Sequence, residues 1–264
     1  MKNNYLLLVT NLTIVSKLKE ESNVTFLFPV QNFTVGFPHT FSIEEITVDH
    51  AFIFVNRILD HVQIEEFKNL IRQLPKNIEG IVFDDIGVLQ VLNTIPNHLT
   101  KILFLNHFNC NYKSINAYLA YVDSVVVSTD ITAAEVKEIL KQAIKPLVLY
   151  TFGHMNIMYS RRLLLSNYNK HFHKNVSLDS TLTNDLQQSF RIIENDDGTV
   201  IYTSEPFNGL DLRGSANVLY YFIHSLFLTD EEVINIIHSD TNLLEKYPYR
   251  YLSDEETIVR IKER

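Results

Sequence analysis

A few points in this 264-residue sequence gather side chains whose types and spacing could do chemistry. His154 follows Gly153 at the end of an apolar run, where an imidazole facing a pocket could exchange a proton near neutral pH. A hydrogen-bonded histidine at a strand end is the plainer alternative. Ser160 lies close by, but no G-x-S-x-G elbow surrounds it, so a serine hydrolase is not expected. Arg161-Arg162 come next, ahead of the apolar run Leu163-Leu164-Leu165. Read as a serine-capped helix start, this puts two cations where the helix dipole disfavours them. A bound carboxylate or phosphate would offset that cost, held by guanidinium forks and free N–H groups. An ion pair with the acidic remainder of the chain would do the same.

Carboxylates follow two other apolar runs: Asp84 and Asp85 the fourth, Asp130 the sixth. They could serve as acid, base or metal ligand, or cap the helices that follow, as Asp85 before Ile86-Gly87 suggests. Asn106, His107, Asn109 and Asn111 follow the fifth run. These amides suit recognition of a polar ligand better than proton transfer, because amides do not titrate. His171 and His173 stand in an expected loop with no third ligand in view, so zinc is not expected.

The elements that must position these groups are short β-branched or aromatic runs alternating with helical periodicity. Strands are expected at 6–10, 24–30, 51–55, 80–84, 101–106, 124–128, 146–152 and 218–223, with helices at 64–74, 87–95, 114–122 and 133–144. Thr132 and Glu135 form a capping box for the last helix. Several strands are nearly continuous hydrophobic runs, as in parallel strands buried on both faces. The expected fold is a (βα)8 TIM-like barrel over residues 1–264. An open doubly wound sheet is the alternative, without the glycine fingerprint that would favour it. So few residues separate the first two strands that the helix between them must be short or imperfect. The stretch between the seventh and eighth strands is too long for one helix, and residues 160–215 read as an insertion of a helix plus a hairpin. Runs at 190–193 and 199–203 flank Asn195-Asp196-Asp197-Gly198, a hairpin turn signal. Such an insertion lands on the face where barrels keep their sites.

Composition removes whole classes of function. Cys110 is the single cysteine, which excludes a disulfide framework, a four-cysteine zinc site and a self-supplied iron–sulfur cluster. The 23 Lys and Arg against 31 Asp and Glu give a net charge of −8, so extended nucleic-acid binding by this chain alone is not expected. No cofactor or metal is expected. The opening Met1-Lys2-Asn3-Asn4-Tyr5-Leu6-Leu7-Leu8 makes a poor signal peptide, and no apolar run is long enough to span a bilayer. A cytoplasmic location away from membranes is the expectation, which makes the Asn-x-Ser/Thr matches at Asn11, Asn23, Asn32 and Asn175 chance products.

The segment from Phe152 to Tyr168 resembles the signature H-G-x-x-C-x-x-Y-S-x-R-C-x-L-S-x-Y of the collagenase-like peptidase family U32. Other stretches agree with that family: Val55-Asn56, Asp85-Ile86-Gly87, Asn111-Tyr112, Val125 to Asp130, and Gly198-Thr199 through Pro206-Phe207-Asn208. The resemblance implies a barrel whose relatives include prephenate-dependent RNA hydroxylation factors, oxygen-independent ubiquinone hydroxylation proteins and proteins labelled peptidases. In the hydroxylation branches four cysteines hold an iron–sulfur cluster. Here Asn156, Leu163 and Asn208 stand at three of those positions and the other has no counterpart.

Three readings follow. One is an accessory subunit for a cysteine-bearing paralogue, as the paired ubiquinone proteins imply, with a role in tRNA or rRNA hydroxylation. Another is a collagenase-like peptidase, and the last a stand-alone barrel that binds a small anionic metabolite without catalysis. The site is placed around residues 153–168. Arg161 and Arg162 would hold an anion, with Asn106, Asn111, Asp85, Asn156 and Asn208 as further ligand contacts. Tyr159 would orient the ligand, and His154 or Asp130 would carry a proton if chemistry survives.

Overall fold

Strands buried on both faces need a partner on each edge and a layer on each side, and a closed barrel wrapped in helices supplies both. The computed structural model describes residues 3–105, 109–238 and 247. Its elements begin with β1 (Tyr5–Leu8), α1 (Leu12–Leu18), β2 (Val24–Pro29), β3 (Ala51–Val55), α2 (His61–Gln73), β4 (Ile78–Phe83) and α3 (Ile86–Thr94). They continue with β5 (Thr100–Leu103), α4 (Tyr112–Tyr118), β6 (Ser124–Val127), α5 (Ala133–Gln142) and β7 (Leu147–Gly153). After β7 the chain leaves the barrel through β8 (Asn156–Ser160), α6 (Leu164–Phe172), β9 (Asp179–Thr183), β10 (Ser189–Asn195), β11 (Gly198–Thr203) and β12 (Phe207–Asn208). It returns as β13 (Val218–His224), followed by α7 (Asp230–Ile237).

The strands β1 to β7 pair in sequence order and in parallel, and β13 lies between β7 and β1. Val126 pairs with Val148 and Val127 with Leu149, which joins β6 to β7 and closes the ring. All eight expected barrel strands form, and the barrel is closed. The short helix between the first two strands is the seven-residue α1, capped by Asn11. Where a helix would follow β2 there is a loop with a single 3-10 turn, Ile43–Glu45.

Alternation along each strand sorts the core into two clusters. Leu6, Leu8, Leu27, Phe52, Phe54, Val82, Ile102, Phe104, Val126, Val148, Tyr150 and Phe222 point into the barrel, while Leu7, Ile53, Ile81, Phe83, Val125, Leu149 and Ile223 pack under the helices. At the N-terminal end of the barrel Phe52 fills the interior beside Gly80, where a Cβ would come within 2.2 Å of its ring.

The insertion is larger than a helix plus a hairpin. Strands β8, β11, β10 and β9 form a four-stranded antiparallel sheet in that order. The expected hairpin is its centre, turning through Asp196-Asp197 between paired Asn195 and Gly198. Its Ile193, Val200 and Tyr202 join the interior cluster, so the sheet lies over the barrel's C-terminal mouth. The Tyr202 hydroxyl donates to the Gly36 carbonyl at 2.8 Å, and Arg57 pairs with Asp197. These contacts tie the sheet to the β2–β3 loop and to the end of β3.

Candidate functional site at the barrel mouth

The inward alternation that packs the barrel also selects its top layer. On β3, β4 and β13 the next inward positions after Phe54, Val82 and Phe222 are Asn56, Asp84 and His224. These three, with Phe54, Phe104, Tyr150, Tyr202 and Asn156 of the covering sheet, line one cavity. Backbone geometry crowds its floor: Gly153 sits at φ +131°, and a Cβ there would lie 2.2 Å from the His224 carbonyl oxygen.

Most polar groups around the cavity are committed. Asn56 accepts from the Val35 N–H at 2.9 Å and donates to the Val35 carbonyl at 3.1 Å. Tyr150 donates to the His154 carbonyl at 2.9 Å. Burial raises the hydroxyl pKa of Tyr150 and of Tyr202 well above the ordinary value, so both stay neutral. Two atoms differ. Asp84 Oδ1 and His224 Nδ1 are shut off from solvent and have no hydrogen-bond partner. Burial, reinforced by the neighbouring Asp85, raises the Asp84 pKa well above the ordinary carboxylate value. Burial, reinforced by His154, pushes His224 down to about 3. The imidazole stacks against Phe37 and Tyr150, with ring centroids 5.8 and 6.4 Å away. Burial thus disfavours the charged form of both the carboxyl and the imidazole in one aromatic-walled space.

The residues singled out in the sequence are distributed differently. His154 is buried, with Nδ1 2.8 Å from the Thr203 carbonyl and its ring edge-on to Phe227. Burial lowers its pKa, against the opposing pull of the Thr203 bond. Asp85 caps α3 by accepting from the Gly87 N–H at 2.7 Å, and its other oxygen accepts from the Leu59 N–H at 2.9 Å. Asp130 is exposed beyond β6, with its N–H on Ser128 Oγ at 3.2 Å. Asn111 caps α4 through the Ser114 N–H at 3.0 Å. Asn109 is buried and donates to the Val126 carbonyl at 3.0 Å. Tyr159 is half-buried on β8, with a hydroxyl that has no partner and a pKa raised by burial. Asn106 and His107 lie outside the described residues. Among the positions named from the sequence, Asn156, Asn56 and Asp84 reach the cavity.

Arg161 and Arg162 do not begin a helix. Ser160 pairs with Thr199 across the β8–β11 ladder, so the chain is extended to that point. The Ser160 hydroxyl then accepts from the Arg162 N–H at 3.1 Å, and α6 starts only at Leu164. Both arginines are exposed, and Arg161 meets Asp60 at 3.4 Å. The anion at the start of α6 belongs to the chain itself. Buried Glu194 accepts from the N–H groups of Leu165 at 2.6 Å and Ser166 at 2.9 Å, and from the Thr199 hydroxyl at 2.8 Å. Burial opposes its ionisation, but the bonds from Ser166, Thr199 and Leu165 outweigh burial and hold the pKa below the ordinary value. His171 lies within α6 and His173 ends it in the left-handed region, in place of the expected loop.

His224, Tyr150 and Tyr202 were not singled out in the sequence. A histidine closing the apolar run Val218 to Ile223 carried the signal for the first. The tyrosines look like ordinary core until the long-range fold places them.

The donor set does not fit an iron–sulfur cluster. Leu163 has no ligating atom, and Asn208 is buried with its amide donating to the Tyr247 carbonyl at 2.7 Å and accepting from the Leu210 N–H at 3.2 Å. Hard amide oxygen is also a poor match for the soft sites of a cluster. Among the described residues no group of three or more His, Cys, Asp or Glu is placed to hold a metal ion, and no helix is long and apolar enough to cross a membrane.

Comparison with known proteins identifies one family. The family model described as peptidase family U32 matches residues 39–217, about two thirds of the chain. No curated protein matches. Two solved structures are similar in fold. The U32 peptidase Mk0906 is 14% identical with a TM-score of 0.47, over 58% of this chain and 70% of its own. The Bacillus cereus spore cortex-lytic enzyme SleL is 10% identical with a TM-score of 0.44, over 96% of this chain and 76% of its own.

Proposed function

The chain belongs to peptidase family U32, and from that premise we propose that it is a cluster-free member that binds a small ligand at the C-terminal mouth of its barrel. The observation that carries this reading is that Asp84 and His224, each with a buried polar atom that has no partner, line one cavity under the inserted sheet. Native interiors satisfy nearly all buried polar atoms, so each exception calls for a partner such as a water, an ion or a ligand. The location agrees, since barrels of this kind place their sites at the C-terminal strand ends. An anion clamp at the start of α6 finds no support, because Glu194 occupies that place.

The test is a thermal-shift screen of small metabolites on the purified chain, with iron content and peptide hydrolysis measured alongside. The reading expects ligand-dependent stabilisation that disappears in His224→Phe, with neither iron nor proteolysis. Hydrolysis of gelatin or casein that needs Asp84 would replace it with the peptidase reading.

A second reading, an accessory subunit for a cysteine-bearing family member, draws on the outer face of the insertion. Ile157 and Met158 on β8, and Tyr168 and Phe172 on α6, are 37–56% exposed. Tyr168 and Phe172 lie together with ring centroids 4.9 Å apart, and an exposed apolar pair of this kind favours a protein partner. Co-purification with such a protein, lost on Phe172→Asp, is the expected outcome under this reading.

A further inference from the structure

We propose that Phe227 is a latch. It is a side chain of the barrel, carried on a strained backbone, that keeps the inserted sheet closed over the mouth by seating its ring among groups of the insertion. The inference is independent of what the mouth binds.

The argument begins with the turn that carries this residue. After β13 the chain reverses through Ser225-Leu226-Phe227-Leu228, closed by the Leu228 N–H on the Ser225 carbonyl at 2.9 Å. Phe227 is the third residue of that turn, and its φ of +69° lies in the left-handed region. Glycine or asparagine is the ordinary occupant of such a position, because a bulky side chain is crowded at positive φ. Both ends of the loop are anchored. The Ser225 hydroxyl donates to the Leu8 carbonyl at 2.5 Å, and the Thr229 hydroxyl caps α7 by accepting from the Glu232 N–H at 3.2 Å. Phe227 is left to absorb the reversal.

What offsets the strain comes from the insertion. Arg191 on β10 places its Cζ 4.1 Å from the centre of the Phe227 ring, a cation over an aromatic face. Tyr202 on β11 meets the same ring in an edge-to-face contact, with centroids 5.5 Å apart. His154, at the junction of β7 and β8, does likewise at 5.3 Å. Arg191 Nε is buried with no hydrogen-bond partner, so the cation would lose the ring without another bond at that atom to hold it. All three partners lie between residues 154 and 203, where the chain has left the barrel, whereas Phe227 belongs to the barrel itself. The contacts exist only while the sheet is down. Lifting the sheet strips the ring of these partners and lets the turn relax, so strain and closure belong to one equilibrium.

The experiment follows hydrogen–deuterium exchange of the full-length protein by mass spectrometry, comparing the amides of β8, β10 and β11 with those of β1, β3 and β4. Arg191→Met keeps an unbranched apolar stem and removes the charge. It is expected to speed exchange in the sheet about tenfold, the worth of one partly buried cation–π contact, and to leave the barrel strands within about twofold. In the Phe227→Gly chain, adding Arg191→Met is expected to change sheet exchange by less than about twofold, because the ring it served is gone. Phe227→Leu supplies a second background without the aromatic face if the glycine variant does not fold. The strain is read separately by melting temperature. Phe227→Gly is expected to melt above Phe227→Ala, the reverse of the usual order at negative φ. Three outcomes overturn the inference. They are sheet and barrel amides that change together or not at all in Arg191→Met, an Arg191→Met effect that persists undiminished without the ring, and an alanine variant that melts as high as the glycine one.

Discussion

Glu194 accepts the Leu165 N–H at 2.6 Å, so a carboxylate from the inserted hairpin caps the helix of the same insertion. The cap joins two segments with no sequence proximity and sets the turn that carries Arg161 and Arg162. Glu194→Ala leaves the buried donors of Leu165, Ser166 and Thr199 unpaired. The expected loss is about 2–4 kcal/mol, read by urea denaturation. The pH dependence has a fixed sign. The Glu194 pKa is lowered on folding, so its stabilisation is present above the ordinary value of 4.5 and fades as pH falls below it. The variant should lose that acid-side slope.

His224→Phe should raise stability while keeping the ring in its stack with Phe37 and Tyr150. The folded pKa near 3 lies below the ordinary 6.5, so the unfolded chain takes up a proton that the folded chain refuses. Stability is therefore full above pH 6.5 and falls as pH drops toward 3, by at most about 1.4 kcal/mol per unit. Melting curves across that range should show the slope in the unaltered protein and its loss in the variant.

Asp84 has the opposite sign. Its raised pKa makes the folded chain hold a proton that the unfolded chain releases above the ordinary value of 3.8. That contribution is present below 3.8 and is lost as pH rises. Asp84→Asn should stabilise the protein at neutral pH and flatten the alkaline side of the profile.

Gly153→Ala tests the crowding at the mouth. A Cβ at φ +131° would be strained and would lie 2.2 Å from backbone, not from a side chain that could swing away. The expected cost is about 3 kcal/mol or more, with the ligand-dependent shift lost as His224 is displaced. A denaturation midpoint equal to that of the unaltered protein would refute this.

Arg161→Ala should leave the melting temperature within experimental scatter. Its partner Asp60 is exposed, the contact is 3.4 Å long, and solvent-exposed pairs contribute little.

The barrel was legible because its strands are buried on both faces and must read as unbroken apolar runs. The rest depended on contacts that no short window contains. β9, with the sequence Asp-Ser-Thr-Leu-Thr, is a polar edge strand and exists because β10 pairs with it. β8 is extended because β11, some forty residues later, pairs with it, and that pairing moved Arg161 and Arg162 from a helix to a turn. Adjacent Asp84 and Asp85 look alike in sequence. Strand alternation turns one inward and leaves the other to cap α3, so the cavity took the neighbour of the residue first favoured.

Phe52 beside Gly80 has a bearing on traffic. With that ring and the leucines above it filling the axis, the barrel is a vessel sealed at its base. Any solute that reaches Asp84 and His224 must come and go by the same door. The lintel of that door is the inserted sheet, fastened by Tyr202 to Gly36 and by Asp197 to Arg57. If the mouth holds a ligand, its residence time would follow how often those fastenings yield, and loosening them should speed entry and exit alike.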